Sequence, residues 1–232
     1  MDEVKTIARV DGTRGEIVLR QRGAGGGVVY ELIVNGTFAM DSVETRSERA
    51  LADVAVGGGA AGLRVLLGGL GLGYTAWEVL QHDVERVDVV EWEECIVEWA
   101  RDGLTPILGR VAADPRATLY VGDIAAVLTG ESGPNGPWDA ILLDVDNGPD
   151  FLIHASNAAL YTAPLLGAAY AQLAPGGTLA IWCQGVVPEL LTACRAISPD
   201  VEEQLHRVRR GERHFAYAIY TLSRPAVRSG PQ

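Results

Sequence analysis

Three features of the sequence predict an α/β fold: a doubly wound, mostly parallel sheet of seven strands preceded by a small antiparallel β extension. From Leu63 onward, short apolar runs alternate with helical stretches, the pattern of a parallel sheet covered on both faces. The run Val65 to Leu67 empties into the glycine-rich turn Gly68-Gly-Leu-Gly-Leu-Gly73, and a helix is predicted straight after it. Before all this, residues 5–42 read as short β-like runs separated by Asp11-Gly12, the Gly23–Gly27 cluster and Asn35-Gly36. Asn-Gly between apolar runs is a strong hairpin signal.

Element by element, the β-like runs are Thr6 to Val10, Gly15 to Arg20, Val28 to Val34 and Thr37 to Met40, and Ser47 to Val56 reads as a helix. Strands of the main sheet are expected over 63–68, 86–91, 117–122, 139–144 and 178–183. Helices are expected over 73–82, 93–101, 158–173 and 187–196, the third stopped by Pro175-Gly176-Gly177. Glu202 to Arg209 and His214 to Ser223, joined by a short turn, predict a terminal hairpin that closes the sheet. The division is a β-hairpin extension over residues 1–45, a ligand-binding domain over 46–224, and a disordered tail over 225–232.

Composition narrows the function. With 48% hydrophobic and 21% charged residues the chain can fill an ordinary globular core. A net charge of −11 argues against a phosphate-backbone partner, so no nucleic acid is expected. Charges and glycines interrupt every long apolar stretch, so no membrane association is expected, and the N-terminus lacks a signal-peptide pattern. The three cysteines, Cys95, Cys183 and Cys194, form no C-x-x-C pair and read as buried thiols of a cytoplasmic protein. The four histidines lie far apart, so no metal site is expected.

The chemistry gathers at predicted strand ends, where open α/β sheets bind their ligands. Gly69, Gly71 and Gly73 carry no Cβ, so backbone can approach a ligand, and the helix behind them offers free N–H groups. About twenty residues further on, the second strand ends in Glu91, placed to accept both hydroxyls of a ribose. Asp123 closes the third strand, either as a helix N-cap or as an acceptor for an exocyclic amine such as that of adenine. The fourth runs into Asp144-Val-Asp146-Asn-Gly-Pro-Asp150, where crowded carboxylates raise at least one pKa or recruit a cation. Asp144 is placed to serve as a general base or to hold an amine's charge, with Asp146 second to it.

In order and spacing, Glu31-Leu-Ile-Val-Asn-Gly-Thr-Phe-Ala-Met40, Leu66-Leu-Gly-Gly-Leu-Gly-Leu-Gly73, Val89-Val-Glu91, Val121-Gly-Asp123 and Trp138-Asp-Ala-Ile-Leu-Leu-Asp144 resemble the spermidine synthase (polyamine aminopropyltransferase) family. The resemblance covers roughly residues 16–222. It implies a Rossmann-like sheet of the class I S-adenosylmethionine-dependent methyltransferase type. It also implies S-adenosylmethionine or its decarboxylated form as cofactor, a small-molecule acceptor with amines foremost, and by analogy a homodimer. Carried over by position, Gly69, Gly71 and Gly73 would line the methionine-derived arm, Glu91 would hold the ribose and Asp123 the adenine amine. Leu70, Trp92 and Ile124 would line the same pocket, and Asp144 falls at the catalytic aspartate.

The departures from the family pattern bear on substrate. Gly71 stands where the family has an aspartate that holds the amine of the decarboxylated cofactor. The family's polyamine-handling tyrosine and its polar neighbour align with Glu48 and Arg49, and Asp-Ser-x-Asp-Pro has become Asp144-Val-Asp-Asn-Gly-Pro149. For the acceptor pocket the candidates are Glu48, Arg49, Asp150 and Tyr161, with Trp182 a further aromatic at a strand end. Methyl transfer from intact S-adenosylmethionine is therefore expected over aminopropyl transfer. Two rivals stand beside it. Gly71-Leu-Gly73-Tyr-Thr-Ala76 also fits the NAD fingerprint G-x-G-x-x-A of an oxidoreductase, and a non-catalytic adenosyl-cofactor-binding protein fits the lost family residues.

Overall fold

The computed structural model describes residues 4–24, 27–149, 152, 154–210 and 213–226. Four antiparallel strands come first: β1 (Val4–Gly12), β2 (Gly15–Ala24), β3 (Gly27–Val34) and β4 (Thr37–Asp41), in the order β1-β2-β3-β4. Asn35 and Gly36 join β3 to β4 with φ of 51° and 73°, the double left-handed conformation of a tight hairpin turn. The buried Glu31 carboxylate binds Arg20 at 2.6 Å and Arg22 at 2.8 Å across β2 and β3.

Helix α1 (Arg46–Val56) leads into the second sheet. There follow β5 (Leu63–Gly68), α2 (Tyr74–Val79), β6 (Val84–Glu91), α3 (Glu94–Arg101), α4 (Pro106–Ala113), β7 (Ala117–Val121), α5 (Ile124–Leu128) and β8 (Trp138–Leu143). After a 3-10 turn over Ala155–Tyr161 come α6 (Ala163–Ala171), β9 (Leu173–Cys183), α7 (Pro188–Ile197), β10 (Val201–Arg210) and β11 (Arg213–Ser223). The strand order is β10-β11-β9-β8-β5-β6-β7; β11 alone runs against the others, through antiparallel pairing with β9 and β10. This is the expected α/β arrangement, with the predicted terminal hairpin at one edge.

Alternate side chains of the central strands feed two cores. Val65, Leu67, Val87, Val89, Ala140 and Leu142 face α1, α2, α3 and α4, together with Ile17 and Leu19 of β2. Leu66, Val90, Ile141, Leu143, Leu179 and Ile181 face the side of α5, α6 and α7. Burial on both faces explains why Val65 to Leu67 and Ala140 to Leu143 read as unbroken apolar runs.

Several expectations need correction. The predicted helix 158–173 is split, because Pro164 lacks the N–H that a continuous helix would need and its ring would strike the carbonyl four residues back. Thr162 is extended there (φ −93°, ψ 150°), and α6 starts afresh after it. Pro175-Gly176-Gly177 does not end that helix; it lies inside β9 as an irregularity between the pairs Trp138↔Leu173 and Ala140↔Thr178. Helix α4 was not foreseen, although Thr105 caps it by accepting from Leu108 N–H at 3.3 Å and Pro106 opens it. The predicted helix 73–82 ends earlier, at Val79. Of the tail expected to be disordered, residues 227–232 lie outside the described residues, as does Asp150.

A Cβ on Gly36 would meet no atom within 4 Å, so replacing it tests backbone strain alone. Gly36→Val should destabilise the protein by about 1–2 kcal/mol, read from urea unfolding.

Candidate functional site

The C-terminal ends of β5, β6, β7 and β8 open into one cleft, roofed by the N-terminal sheet. Its lining includes Gly69, Gly71, Glu91, Trp92, Asp123, Ile124, Asp144 and Asp146, so the structure brings together most of the residues singled out from sequence. Leu32, Ala39 and Met40 from the N-terminal sheet line it too, as does Trp182 at the end of β9.

Local geometry explains each placement. Gly69 has φ of 90°, and a Cβ there would sit 2.1 Å from the Asp144 carbonyl oxygen. Only glycine lets the turn lie this close to the end of β8. Leu70 donates its N–H to Glu91 Oε2 at 2.8 Å, and Glu93 N–H reaches Glu91 Oε1 at 2.9 Å. Burial raises the Glu91 pKa above the ordinary value, while the amides of Glu93, Leu70 and Gly71 oppose the shift. A carboxylate has about four lone-pair positions, so each oxygen retains capacity for a ribose hydroxyl. Asp123 caps α5, its Oδ1 accepting from Ala125 N–H at 2.8 Å, and the residue also lines the cleft. Gly73 differs from expectation. It starts α2 with φ of 85° and faces Leu108, Ile107 and Val111 of α4 rather than the cleft.

Asp144 follows β8, its N–H bonded to Gly68 O at 2.9 Å. Its Oδ2 accepts the Thr75 hydroxyl at 2.5 Å. Partly open to the cleft and enclosed on its other sides, the carboxyl is pushed up by burial to a pKa of about 6, against the pull of the Thr75 hydrogen bond. Asp146 is bound up in its own loop, accepting from Asn147 N–H and Asn157 Nδ2–H, each at 2.8 Å, and from His154 N–H at 3.4 Å. It shapes the segment after β8.

The acceptor candidates fare less well. Glu48 is buried in the first turn of α1 and takes the Ser47 hydroxyl at 2.5 Å. Arg49 pairs with Glu78 at 2.7 Å. Tyr161 is buried, its pKa driven up chiefly by that burial, with Cys183, Asp146 and Asp144 adding to the shift. None of the three lines the cleft. Trp182 does, and its ring packs on Tyr217 at 5.1 Å.

Sequence reasoning missed Thr75, Met40 and Arg14. Thr75 could have been read from its place in the first turn behind the glycines. Arg14 sits in the β1–β2 turn with no local signal. Its guanidinium lies 3.5 Å from the Trp92 ring centroid and donates to Asn157 Oδ1 at 2.7 Å. Glu93 fastens this turn by accepting from Thr13 N–H at 3.0 Å and Arg14 N–H at 3.2 Å. Burial lowers the Arg14 pKa, and the carboxylates of Asp123, Glu93, Asp146 and Glu91 pull it back up.

This is a glycine-turn cleft on a Rossmann-like sheet of the class I methyltransferase type. Comparison with known proteins agrees. No protein-family model matches the chain. Putrescine N-methyltransferase 3 of Nicotiana tabacum is 30% identical over 143 residues, 58% of this chain and 35% of that protein. The polyamine aminopropyltransferase of Mycobacterium tuberculosis is 31% identical over 139 residues, 60% of this chain and 25% of that protein. The match thus spans about a third or less of these curated relatives. Among solved structures, a spermidine synthase in complex with the transition-state analogue AdoDATO superposes with a TM-score of 0.75 at 22% identity, covering 94% of this chain and 73% of that one. Spermidine synthase from Thermotoga maritima gives 0.72 at 21%, covering 94% and 72%. The resemblance to spermidine synthases read from sequence is borne out in homology and in fold. Among the described residues no helix is long and apolar enough to cross a membrane.

The raised Asp144 pKa has a consequence for stability. Unfolded, this carboxyl titrates near 4; folded, near 6. Between those values the folded state holds a proton that the unfolded state releases. Stability therefore falls as pH rises through that window, by about 2–3 kcal/mol in total. Asp144→Asn should abolish the fall and make the protein more stable than wild type at pH 8, measured by urea unfolding across pH 4 to 8.

Proposed function

We propose that the chain is an S-adenosylmethionine-dependent transferase that moves a methyl group onto a small amine. The observation that carries this reading is the joining in one cleft of the glycine turn, the amide-held Glu91 and the partly enclosed Asp144. Its relatives by name include a putrescine N-methyltransferase and a polyamine aminopropyltransferase, and both names specify an amine substrate.

Gly71 favours the methyl donor over the aminopropyl donor. An aspartate there would face the cofactor's α-carboxylate, and two like charges about 4 Å apart cost about 4 kcal/mol at an effective dielectric of about 20. Glycine removes that repulsion. The residues fit the cofactor: Glu91 for the ribose, Asp123 for the adenine amine, Trp92 and Ile124 for the base, and Gly69 and Gly71 for the arm. When bound, the sulfonium supplies an activated methyl carbon and a good leaving group.

The protein's own work is alignment and proton handling. Asp144, held by Thr75, accepts a proton from the acceptor nitrogen or pairs with its charge. Asp146 fixes the loop that carries it. Three buried free cysteines suit a reducing compartment such as the cytoplasm.

The deciding experiment incubates the protein with S-adenosylmethionine or its decarboxylated form and a panel of mono- and diamines, with products read by mass spectrometry. S-adenosylhomocysteine and an N-methylated amine are expected. Methylthioadenosine formed with higher efficiency from the decarboxylated cofactor would reassign the enzyme to aminopropyl transfer. Asp144→Asn should lower kcat by about 100-fold or more with cofactor affinity little changed, and should erase a step near pH 6 from the kcat/KM profile.

A further inference from the structure

The end of β4 reaches into the glycine turn. Met40 Sδ accepts the Leu72 N–H at 3.3 Å and lies 2.7 Å from where a Cβ on Gly71 would be. The backbone is arranged to put it there. Pairing runs Glu31↔Asp41, Leu32↔Met40, then Ile33↔Phe38, so Ala39 is an extra residue between two pairs. Such a bulge turns the following side chain to the other face of the strand. In a regular strand Met40 would share the face of Phe38, which is exposed. With the bulge, Met40 faces the cleft beside Leu32 and Ala39.

A thioether is a weak acceptor, and methionine is the most adaptable apolar side chain. The Leu72 amide is thus held by a partner that a stronger acceptor can displace. A carboxylate is such an acceptor, because a hydrogen bond to an ionised oxygen is shorter and roughly twice as strong as one between neutral groups. An ammonium group has no acceptor and cannot take the amide at all.

We propose that Met40 is a specificity residue: its sulfur holds the Leu72 N–H until the carboxylate of S-adenosylmethionine takes that amide. The decarboxylated cofactor cannot make this exchange. This rests on the reading of the cleft as an adenosyl-sulfonium site with intact carboxylate. It adds the residue that tempers the choice, because the carboxylate must displace the sulfur before it can take the amide.

The test uses the full chain and calorimetric titration with both cofactors. Met40→Leu keeps the volume and removes the acceptor; Met40→Gln restores an acceptor stronger than sulfur. For Met40→Leu, S-adenosylmethionine should bind about fivefold more tightly than to wild type, since no sulfur competes for the amide, while the decarboxylated form shifts less than twofold. Met40→Gln should bind S-adenosylmethionine more weakly than Met40→Leu does, and it supplies the same comparison should Met40→Leu fold poorly. Equal shifts for both cofactors, or none for either, would show that Met40 only packs and would overturn the proposal. A wild-type preference for the decarboxylated form would instead sink the cofactor reading itself, and with it the choice that Met40 is proposed to temper.

Discussion

The site depends on one carboxylate bonded to the backbone of two loops. Glu91, at the end of β6, takes an amide from the turn after β5 and another from the residue that precedes α3. Those bonds fix the glycine turn relative to the neighbouring strand before any ligand arrives. They also compensate part of the cost of burying the charge, which is why the group can stay in the cleft with capacity to spare. On the other side, Gly69 lies against the Asp144 carbonyl. The ends of β6, β5 and β8 are therefore spaced by contacts that tolerate almost no added atoms.

Much of this was legible in the sequence, because the signals were local. Val65 to Leu67 followed by glycines, Val89-Val-Glu91 and Ala140 to Asp144 each put a chemical group at the end of an apolar run, and in a parallel sheet such ends converge. Asn35-Gly36 announced its hairpin for an equally local reason: two consecutive left-handed residues suit few other pairs.

What stayed hidden depends on contacts distant in sequence. Arg14 reaches Trp92 and Asn157 only because the two sheets pack together. The orientation of Met40 follows from a bulge at Ala39, and no residue type there announces one. Glu48 and Arg49 were placed at the acceptor by alignment with other proteins, and the structure satisfies both inside α1 and across to α2. A position assigned by resemblance does not carry its chemistry once the residue type has changed.

The N-terminal sheet is thus part of the cradle rather than an appendage to it. Glu93 grips the β1–β2 turn through two backbone amides, and β4 delivers Met40 to the glycine turn. These two attachments lie by Trp92 and by Gly71 respectively. The sheet consequently cannot shift at one end without disturbing the other, since β1 to β4 are joined in a continuous hydrogen-bonded ladder. A base stacked near Trp92 and an arm laid along the glycine turn would both touch this single rigid element. With the proposed cofactor in the cleft, discrimination at the arm would be coupled mechanically to recognition of the base, and a sheet without the extension would lack both contacts.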